Sequence, residues 1–154
     1  MPYVEERMQR LGIVLPDSPK PVAAYEPSAI FCDRLVYVSG QDCRKDGKLL
    51  YEGKLGKELT VEQGSACARQ SMLNCLAALK YSIGDLDRVK RIVKVLGFVA
   101  STEGFGEQPY VINGGSELLI EIFGEQGKHA RAAIGTNELP FGTPVEIEMI
   151  VELK

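Results

Sequence analysis

The sequence has no tryptophan, one histidine and no cysteine pair in C-x-x-C spacing. A zinc site needs more partners than His129 alone, so we predict no metal. A nucleophilic cysteine needs a base or a cation beside it, and the sequence places none there. We therefore expect free and mostly buried thiols in a reducing compartment, at Cys32, Cys43, Cys67 and Cys75.

Long apolar runs are also missing, because the longest of them extend over only a few residues, too few to span a bilayer. The N-terminal stretch MPYVEERMQR mixes charges of both signs without an apolar centre, which is not typical of a signal peptide. The net charge is −3, whereas a nucleic-acid surface normally requires clustered Lys and Arg. These features predict a cytoplasmic protein and disfavour membrane and nucleic-acid partners.

The chain has 154 residues, which fits one domain over residues 1–154. Val4, Met8 and Leu11 have helical spacing and predict a short amphipathic helix. The Pro-containing stretch 17–21 that follows is typical of a linker. Residues 1–20 are therefore expected to form an N-terminal helix and linker extension.

The C-terminal stretch gives the clearest strand signal, since apolar residues alternate from Val145 to Leu153. Upstream, Ala130 to Gly135 is a short run of mostly small residues that contains a single arginine, Arg131. Turn-forming residues between 137 and 144 are of the kind that can fold the second run back beside the first. The pattern thus predicts two adjacent C-terminal strands. A guanidinium among small residues has room to bind a small anion, and its fork of donors fits a carboxylate.

Two helices are indicated further upstream. Thr60 and Gln63 have capping-box spacing at the start of the first, and Gly84 ends it. Pro109 suits the first turn of the second, which ends at Gly124. The pair Gly114–Gly115 costs about 1 kcal/mol per residue inside a helix, and we expect tight packing of this helix on a sheet as its reason.

The remaining segments suggest strands. We predict an extended segment from Val22 to Phe31, a strand from Leu35 to Ser39 ending at Gly40, and short hairpin strands within a loop over 41–59. A long strand is predicted from Val89 to Ala100, with Val89, Val93, Val95 and Val99 on one face and Ile92, Leu96 and Phe98 on the other. This order indicates an α+β or α/β fold with two main helices over a mixed sheet.

Two helices cover only one face of such a sheet. The other face is expected to carry apolar side chains among charges, a pattern that marks an interface, at Ile92, Leu96, Phe98 and Ile150. We infer self-association, without a number of subunits.

Several stretches, in order, resemble the Rid family, also called YjgF or endoribonuclease L-PSP. They are Leu35–Gln41, the helix from Thr60 through Leu86, Val89–Val99, Ala130-Arg131, Glu138–Pro140 and Val145–Glu148. The resemblance extends from about Tyr25 to the end and is closest to the longer members of the family. It implies an α+β, chorismate-mutase-like (YjgF) fold and a homotrimer with three clefts between subunits.

The resemblance also implies an activity: hydrolysis of enamines or imines of amino acids, such as 2-aminoacrylate and its 2-imino tautomer, to 2-keto acids and ammonia. Arg131 would hold the substrate carboxylate, and Glu146 would position or activate water. Where many members have a cysteine, this chain has Ala133, whose backbone carbonyl would contact the water. No cofactor is required. The expected pocket residues are Tyr25, Ser39, Gly40 and Asn113.

Simpler interpretations stay open for these residues. Arg131 is also compatible with a structural salt bridge to Glu146 or Glu148, and Glu146 with a solvated strand position. His129 lies in a polar turn that favours a surface role. Asn113 is also compatible with a simple hydrogen bond to the backbone. At the level of function, the alternatives are a trimeric binder or regulator that senses small carboxylates without turnover and, least favoured, an endoribonuclease.

Overall fold

The computed structural model describes residues 3–21 and 23–154. In those residues the α helices are α1 (Val4–Arg10), α2 (Val61–Ile83) and α3 (Gln108–Phe123). The strands are β1 (Ser28–Phe31), β2 (Leu35–Gln41), β3 (Arg44–Lys45), β4 (Lys48–Leu49), β5 (Val89–Ala100), β6 (Ala130–Thr136) and β7 (Val145–Leu153). Short 3-10 turns occupy Leu86–Arg88, Gly124–Gly127 and Pro140–Gly142. Val22, the start of the predicted extended segment, lies outside the described residues.

The main sheet has the order β1-β2-β7-β5-β6, and β3 and β4 form a separate hairpin within the predicted loop. Strands β5 and β6 run parallel, while the other neighbours in the main sheet are antiparallel. Helix α3 makes the connection from β5 to β6 that a parallel pair requires. The mixed sheet under two main helices confirms the predicted α+β class.

The prediction that the two C-terminal strands pair with each other is wrong. Strand β5 lies between them, pairing with β6 on one edge and with β7 on the other. The side chains explain this placement. The apolar face of β7 needs neighbours on both sides to be fully buried, whereas the small residues of β6 tolerate the edge of the sheet.

The core lies between the sheet and helices α2 and α3. The predicted capping box opens α2: the Thr60 hydroxyl accepts from the Gln63 backbone N–H (3.2 Å), and the Gln63 side chain accepts from the Thr60 N–H (3.0 Å). The alternating residues of β7 are all buried, as predicted, at Val145, Ile147, Met149, Val151 and Leu153. Helix α1 adds Met8 to this core.

One assignment on β5 requires correction. Ile92 is buried in the core, whereas the alternation places it on the opposite face; Val93 is only half-buried. The β5–β7 register shifts between Val89 and Arg91 and again between Ile92 and Lys94. An irregularity of this kind inserts an extra residue and reverses the facing of those that follow, so a strict period of two fails across it.

The sheet face without helices is partly apolar, as predicted. Leu96, Phe98 and Ile150 are half-buried there, and Tyr37 and Ile134 are exposed. At one end of this face Glu152 is buried and contacts three cations, with the closest atoms 3.6 Å away in Arg34, 3.0 Å in Lys90 and 2.7 Å in Arg91. Lys90 and Arg91 hold the pKa of the Glu152 carboxyl below its ordinary value, and the hydrogen bond from Lys90 has the largest effect. Over residues 3–21 and 23–154, no helix combines the length and apolar character of a membrane span.

The paired glycines of α3 allow close packing, but chiefly on α2. A Cβ at Gly114 would collide with the backbone carbonyl of Ser65 in α2. A Cβ at Gly115 would lie 3.1 Å from Ile147 on the sheet and 3.2 Å from the Ala68 carbonyl of α2. The expected contact of this helix with the sheet therefore holds for Gly115, whereas Gly114 sets the distance between the two helices.

We expect Gly114→Ala to destabilise the protein by about 1–3 kcal/mol, because the added methyl group must push the two helices apart. This cost exceeds the gain of about 1 kcal/mol in helix propensity. Urea unfolding followed by circular dichroism measures the change. Gly106→Ala is the control, since its Cβ would meet no atom within 4 Å. A Gly114→Ala protein as stable as the wild type would contradict the packing described here.

Candidate functional site

Arg131 lies on the edge strand β6, opposite the core residue Val95, so its side chain is on the helix side of the sheet. Its Nη1 donates to the Asn113 amide oxygen at 2.8 Å and to the Ser116 hydroxyl at 3.1 Å. Its Nη2 donates to the Pro109 backbone carbonyl at 3.3 Å. Helix α3 therefore holds the guanidinium from one side through three neutral acceptors.

No acidic side chain of the described residues forms an ion pair with Arg131. The suggested salt bridge to Glu146 or Glu148 is absent within the protomer, because those carboxylates are on the other face of the sheet. A guanidinium has five N–H donors, and the contacts above leave the Nε–H and one Nη2–H. A half-buried cation with two remaining donors on adjacent nitrogens suits a small carboxylate.

His129 and Ser116 extend this cluster, and sequence reasoning missed both. His129, for which a surface role is predicted, is half-buried, and its ring lies 2.9 Å from the Ser116 hydroxyl and 2.6 Å from the Gly127 carbonyl. Burial, followed by the nearby Arg131 cation, lowers the pKa of His129, while the Gly127 carbonyl acts in the opposite direction. The sequence carries one signal for Ser116, its spacing from Asn113: the two residues are one helical turn apart, so they lie on the same side of the predicted helix.

A groove of about 980 Å³ opens beside the other face of the sheet. Strands β2 and β7 supply its floor, and part of its rim is supplied by Pro16, Asp17, Pro19, Lys20 and Ala23. Four of the residues expected in the pocket line it: Tyr25, Ser39, Gly40 and Glu146. The groove also contains Asp42 and Glu148, which makes it acidic.

Glu146 is packed against backbone. A Cβ at position 40 would collide with the Glu146 carboxylate, so glycine is required for this approach. The neighbouring Ser39 hydroxyl donates to the Glu26 carbonyl at 2.5 Å, which attaches the Tyr25 segment to β2. Burial raises the pKa of Glu146, and the negative charges of Asp42 and Glu148 raise it further. Glu146 is therefore a stronger base than an ordinary solvated carboxylate.

Two further pairs shape the groove. Tyr37 donates a hydrogen bond to Glu148, and this bond is the main cause that raises the pKa of Tyr37 to about 12. Arg44 forms an ion pair with Asp42, and its guanidinium lies 4.9 Å from the centre of the Phe141 ring. The wall thus combines carboxylates with aromatic rings.

The structure brings the predicted site residues together in two groups rather than one. Arg131, Asn113 and Ala133 lie where β6 meets α3, whereas Glu146 lies in the groove with Tyr25, Ser39 and Gly40. Strand β5 separates the two groups, and they occupy opposite faces of the sheet. One chain therefore presents a cationic cluster around Arg131 and a separate acidic groove around Glu146.

The four cysteines are free, and Cys43, Cys67 and Cys75 are fully buried, as predicted. Cys43 has a neighbour that the sequence did not indicate: a hydrogen bond from Cys67 is the main cause that lowers the pKa of Cys43 to about 6. Its burial keeps it from solvent. Within the described part of the chain, no group of three or more His, Cys, Asp or Glu residues is placed to hold a metal.

Fold and site together define a small α+β protein with an arginine cluster on a sheet edge and an acidic groove on the other face of the sheet. The model of the family described as "YjgF/chorismate_mutase-like, putative endoribonuclease" matches residues 5–153, and the chain belongs to this family. The resemblance to the Rid family found in the sequence is thereby confirmed, together with its fold.

Relatives agree over nearly the whole chain. Protein TCP17 of Trypanosoma cruzi is 44% identical, over 97% of this chain and 94% of its own. The crystal structure of Atu1372 from Agrobacterium tumefaciens is 41% identical with a TM-score of 0.90, covering 98% of this chain and 92% of its own. RidA from the Antarctic bacterium Psychrobacter sp. is 25% identical with a TM-score of 0.62, covering 89% of this chain and 94% of its own.

Proposed function

We propose that this protein is an imine deaminase, which hydrolyses reactive 2-imino acids derived from amino acids to 2-keto acids and ammonia. The observation that carries the proposal is the half-buried Arg131 guanidinium, which has no acidic partner among the described residues and two remaining donors. Family membership and the RidA relative support it. Small carboxylates are the substrates that such a cation holds in a fixed orientation.

The residue types suit this chemistry. Arg131 binds the carboxylate of the 2-imino acid, which fixes the position of the adjacent C=N carbon. Glu146, whose pKa is raised, takes a proton from a water that adds to this carbon. The same proton passes to the imine nitrogen, which gives a carbinolamine. The hydroxyl proton of this intermediate then moves through the Glu146 carboxylate to the amine nitrogen, the C–N bond breaks, and ammonia leaves as the C=O bond forms. In this scheme the Ala133 backbone carbonyl orients the water, and no cofactor takes part.

Assembly supplies the missing geometry in this proposal. We propose that the Arg131 cluster and the acidic groove around Glu146 are two half-sites, one cationic and one acidic, of a single substrate site. They are on opposite faces of one sheet, so a single protomer cannot bring Arg131 and Glu146 to one substrate. The uncovered apolar face around Phe98 supports self-association. In the homotrimer that we propose, the β6 edge of one subunit meets the acidic groove of its neighbour and closes a cleft around the substrate.

RNA fits this groove poorly. Five acidic residues line it against two basic ones: Asp17, Asp42, Asp46, Glu146 and Glu148 against Lys20 and Arg44. RNA-binding surfaces need the opposite balance, because affinity depends on neutralising phosphates. A carboxylate binder without turnover is the better second candidate, since the Arg131 half-site is complete within one protomer and can hold an acid without Glu146.

The test supplies short-lived imines from an amino-acid oxidase acting on leucine. We expect the protein to accelerate release of the 2-keto acid and to lower the amount of imine trapped by semicarbazide. Wild-type protein with no rate above buffer would overturn the enzyme proposal. If 2-oxobutanoate nevertheless raises the melting temperature, the binder takes its place.

A further inference from the structure

We propose that Ser116 and His129 are positioning residues for Arg131, joined in a hydrogen-bond chain with one direction that fixes the plane of its guanidinium. This inference rests on the proposed function in so far as Arg131 binds the substrate carboxylate. This hydrogen-bond chain starts at the Gly127 carbonyl and passes through His129 and Ser116 to Arg131.

The direction of each bond follows from what each group can donate. The Gly127 carbonyl only accepts, so His129 Nδ1, 2.6 Å away, must carry its hydrogen. In a neutral ring with Nδ1–H, Nε2 has no hydrogen and accepts. The Ser116 hydroxyl, 2.9 Å away, therefore donates to Nε2. Its oxygen then has lone pairs for the Arg131 Nη1–H at 3.1 Å.

The chain starts from a rigid point. A Cβ at Gly127 would collide with the Leu119 carbonyl of α3, so the backbone at Gly127 lies directly on that helix. Ser116 is 8% exposed and is on the same helix. His129 therefore connects two fixed places, and its ring has little freedom to turn away.

The consequence for Arg131 is a single orientation. A serine hydroxyl alone rotates and can point its hydrogen at any acceptor. With that hydrogen committed to His129, the Ser116 oxygen constantly faces the guanidinium. Together with Asn113, which accepts at 2.8 Å, it holds both hydrogens of Nη1. The Nε–H and the second Nη2–H then point in a fixed direction, where a carboxylate can accept both.

The charges around His129 favour its neutral form. On α3 it faces the uncharged Ser116, on the preceding turn the Gly127 carbonyl, and on β6 the Arg131 cation. The adjacent Lys128 is paired with Glu125 at 2.6 Å. A second positive charge on His129 would lie beside Arg131, which is consistent with the direction of the His129 pKa shift.

The first measurement needs neither substrate nor activity. His129 is the single histidine in the sequence, so long-range ¹H–¹⁵N spectra report its ring without assignment. We expect the neutral Nδ1–H form at pH 7, and a higher His129 pKa in Arg131→Ala because the neighbouring cation is gone. A charged ring or the Nε2–H form at pH 7 would overturn the inference.

The second measurement follows Arg131 itself. In the wild type the two Nη signals of Arg131, identified by their loss in Arg131→Ala, should be resolved because rotation of the guanidinium is hindered. In Ser116→Ala and His129→Leu the two Nη signals should merge into one averaged signal, because the guanidinium rotates more freely. In His129→Gln, whose amide oxygen can still accept from Ser116, they should stay resolved. Resolved signals in all three variants would show that the hydrogen-bond chain does not position Arg131.

Binding and turnover give the functional readout. We expect Ser116→Ala and His129→Leu to weaken 2-oxobutanoate binding in calorimetry by about 3- to 10-fold, the effect of one lost hydrogen bond. In the imine assay they should raise KM more than they lower kcat, because Glu146 is untouched. His129→Gln should recover most of the binding. Wild-type affinity in both damaging variants contradicts the inference, whereas normal ring and guanidinium spectra without turnover contradict only the proposed activity.

Discussion

Replacing Arg131 with alanine is expected to lower kcat/KM for 2-imino acids by about 100- to 20,000-fold. Two charge-assisted hydrogen bonds to the substrate carboxylate are lost, each of which contributes about 1.5–3 kcal/mol, and about 1.4 kcal/mol corresponds to a factor of ten. The loss should appear in both KM and kcat, because an unanchored substrate no longer presents its C=N carbon to the water.

Two variants make this experiment specific. Arg131→Lys keeps the charge but loses the planar fork, so its kcat/KM should fall between those of the wild type and Arg131→Ala. Arg69→Ala removes another arginine, one that pairs with Glu121 at 3.0 Å on the helix surface, and should leave turnover unchanged. Equal activity of Arg131→Ala and the wild type would refute the role of this side chain.

Two inactive variants are expected to restore each other. If a site takes Arg131 from one subunit and Glu146 from its neighbour, mixed assemblies of Arg131→Ala and Glu146→Gln chains contain some sites with both residues intact. For random mixing of equal amounts in a closed ring, about one site in four has both. Co-expressed chains should therefore show about a quarter of wild-type activity, while each variant alone shows almost none.

The control mixes chains damaged in the same half-site, Arg131→Ala with Asn113→Ala. No assembly of these two recovers an undamaged cationic half-site, so activity should not exceed that of the parent chains. Sedimentation or light scattering on the mixture establishes that assemblies form. A mixture of Arg131→Ala and Glu146→Gln that assembles but stays inactive would mean that the two residues do not serve a common site across subunits.

The elements with strong local signals could be predicted from the sequence. The alternation of β7 and the capping box of α2 each depend on residues a few positions apart, so periodicity and cap chemistry are sufficient to locate them. The family motifs around Arg131 and Glu146 supplied the candidate site, and the structure places both in polar half-buried surroundings.

What failed depends on distant partners. Alternation shows that β7 has a buried face but not which strand pairs with it, so the intervening position of β5 was missed. Ile92 faces the core, against the prediction, because the register between β5 and β7 shifts near it. The alternation of apolar and polar residues in the sequence gives no sign of such a shift. The residues around Arg131 show no alternation of apolar and polar side chains. The sequence therefore could not show which face of the sheet Arg131 occupies. The bond from Ser116 to His129 depends on how α3 lies against β6.

The absence of a side chain at Gly40 has a consequence for which substitutions the groove can accept. The Glu146 carboxylate lies directly against the main chain there, in space that a Cβ would occupy, so any larger residue at position 40 would displace it. The rim residues Asp17, Lys20 and Ala23, by contrast, are exposed. Substitutions are therefore more tightly constrained at this point of the groove floor than at those rim positions.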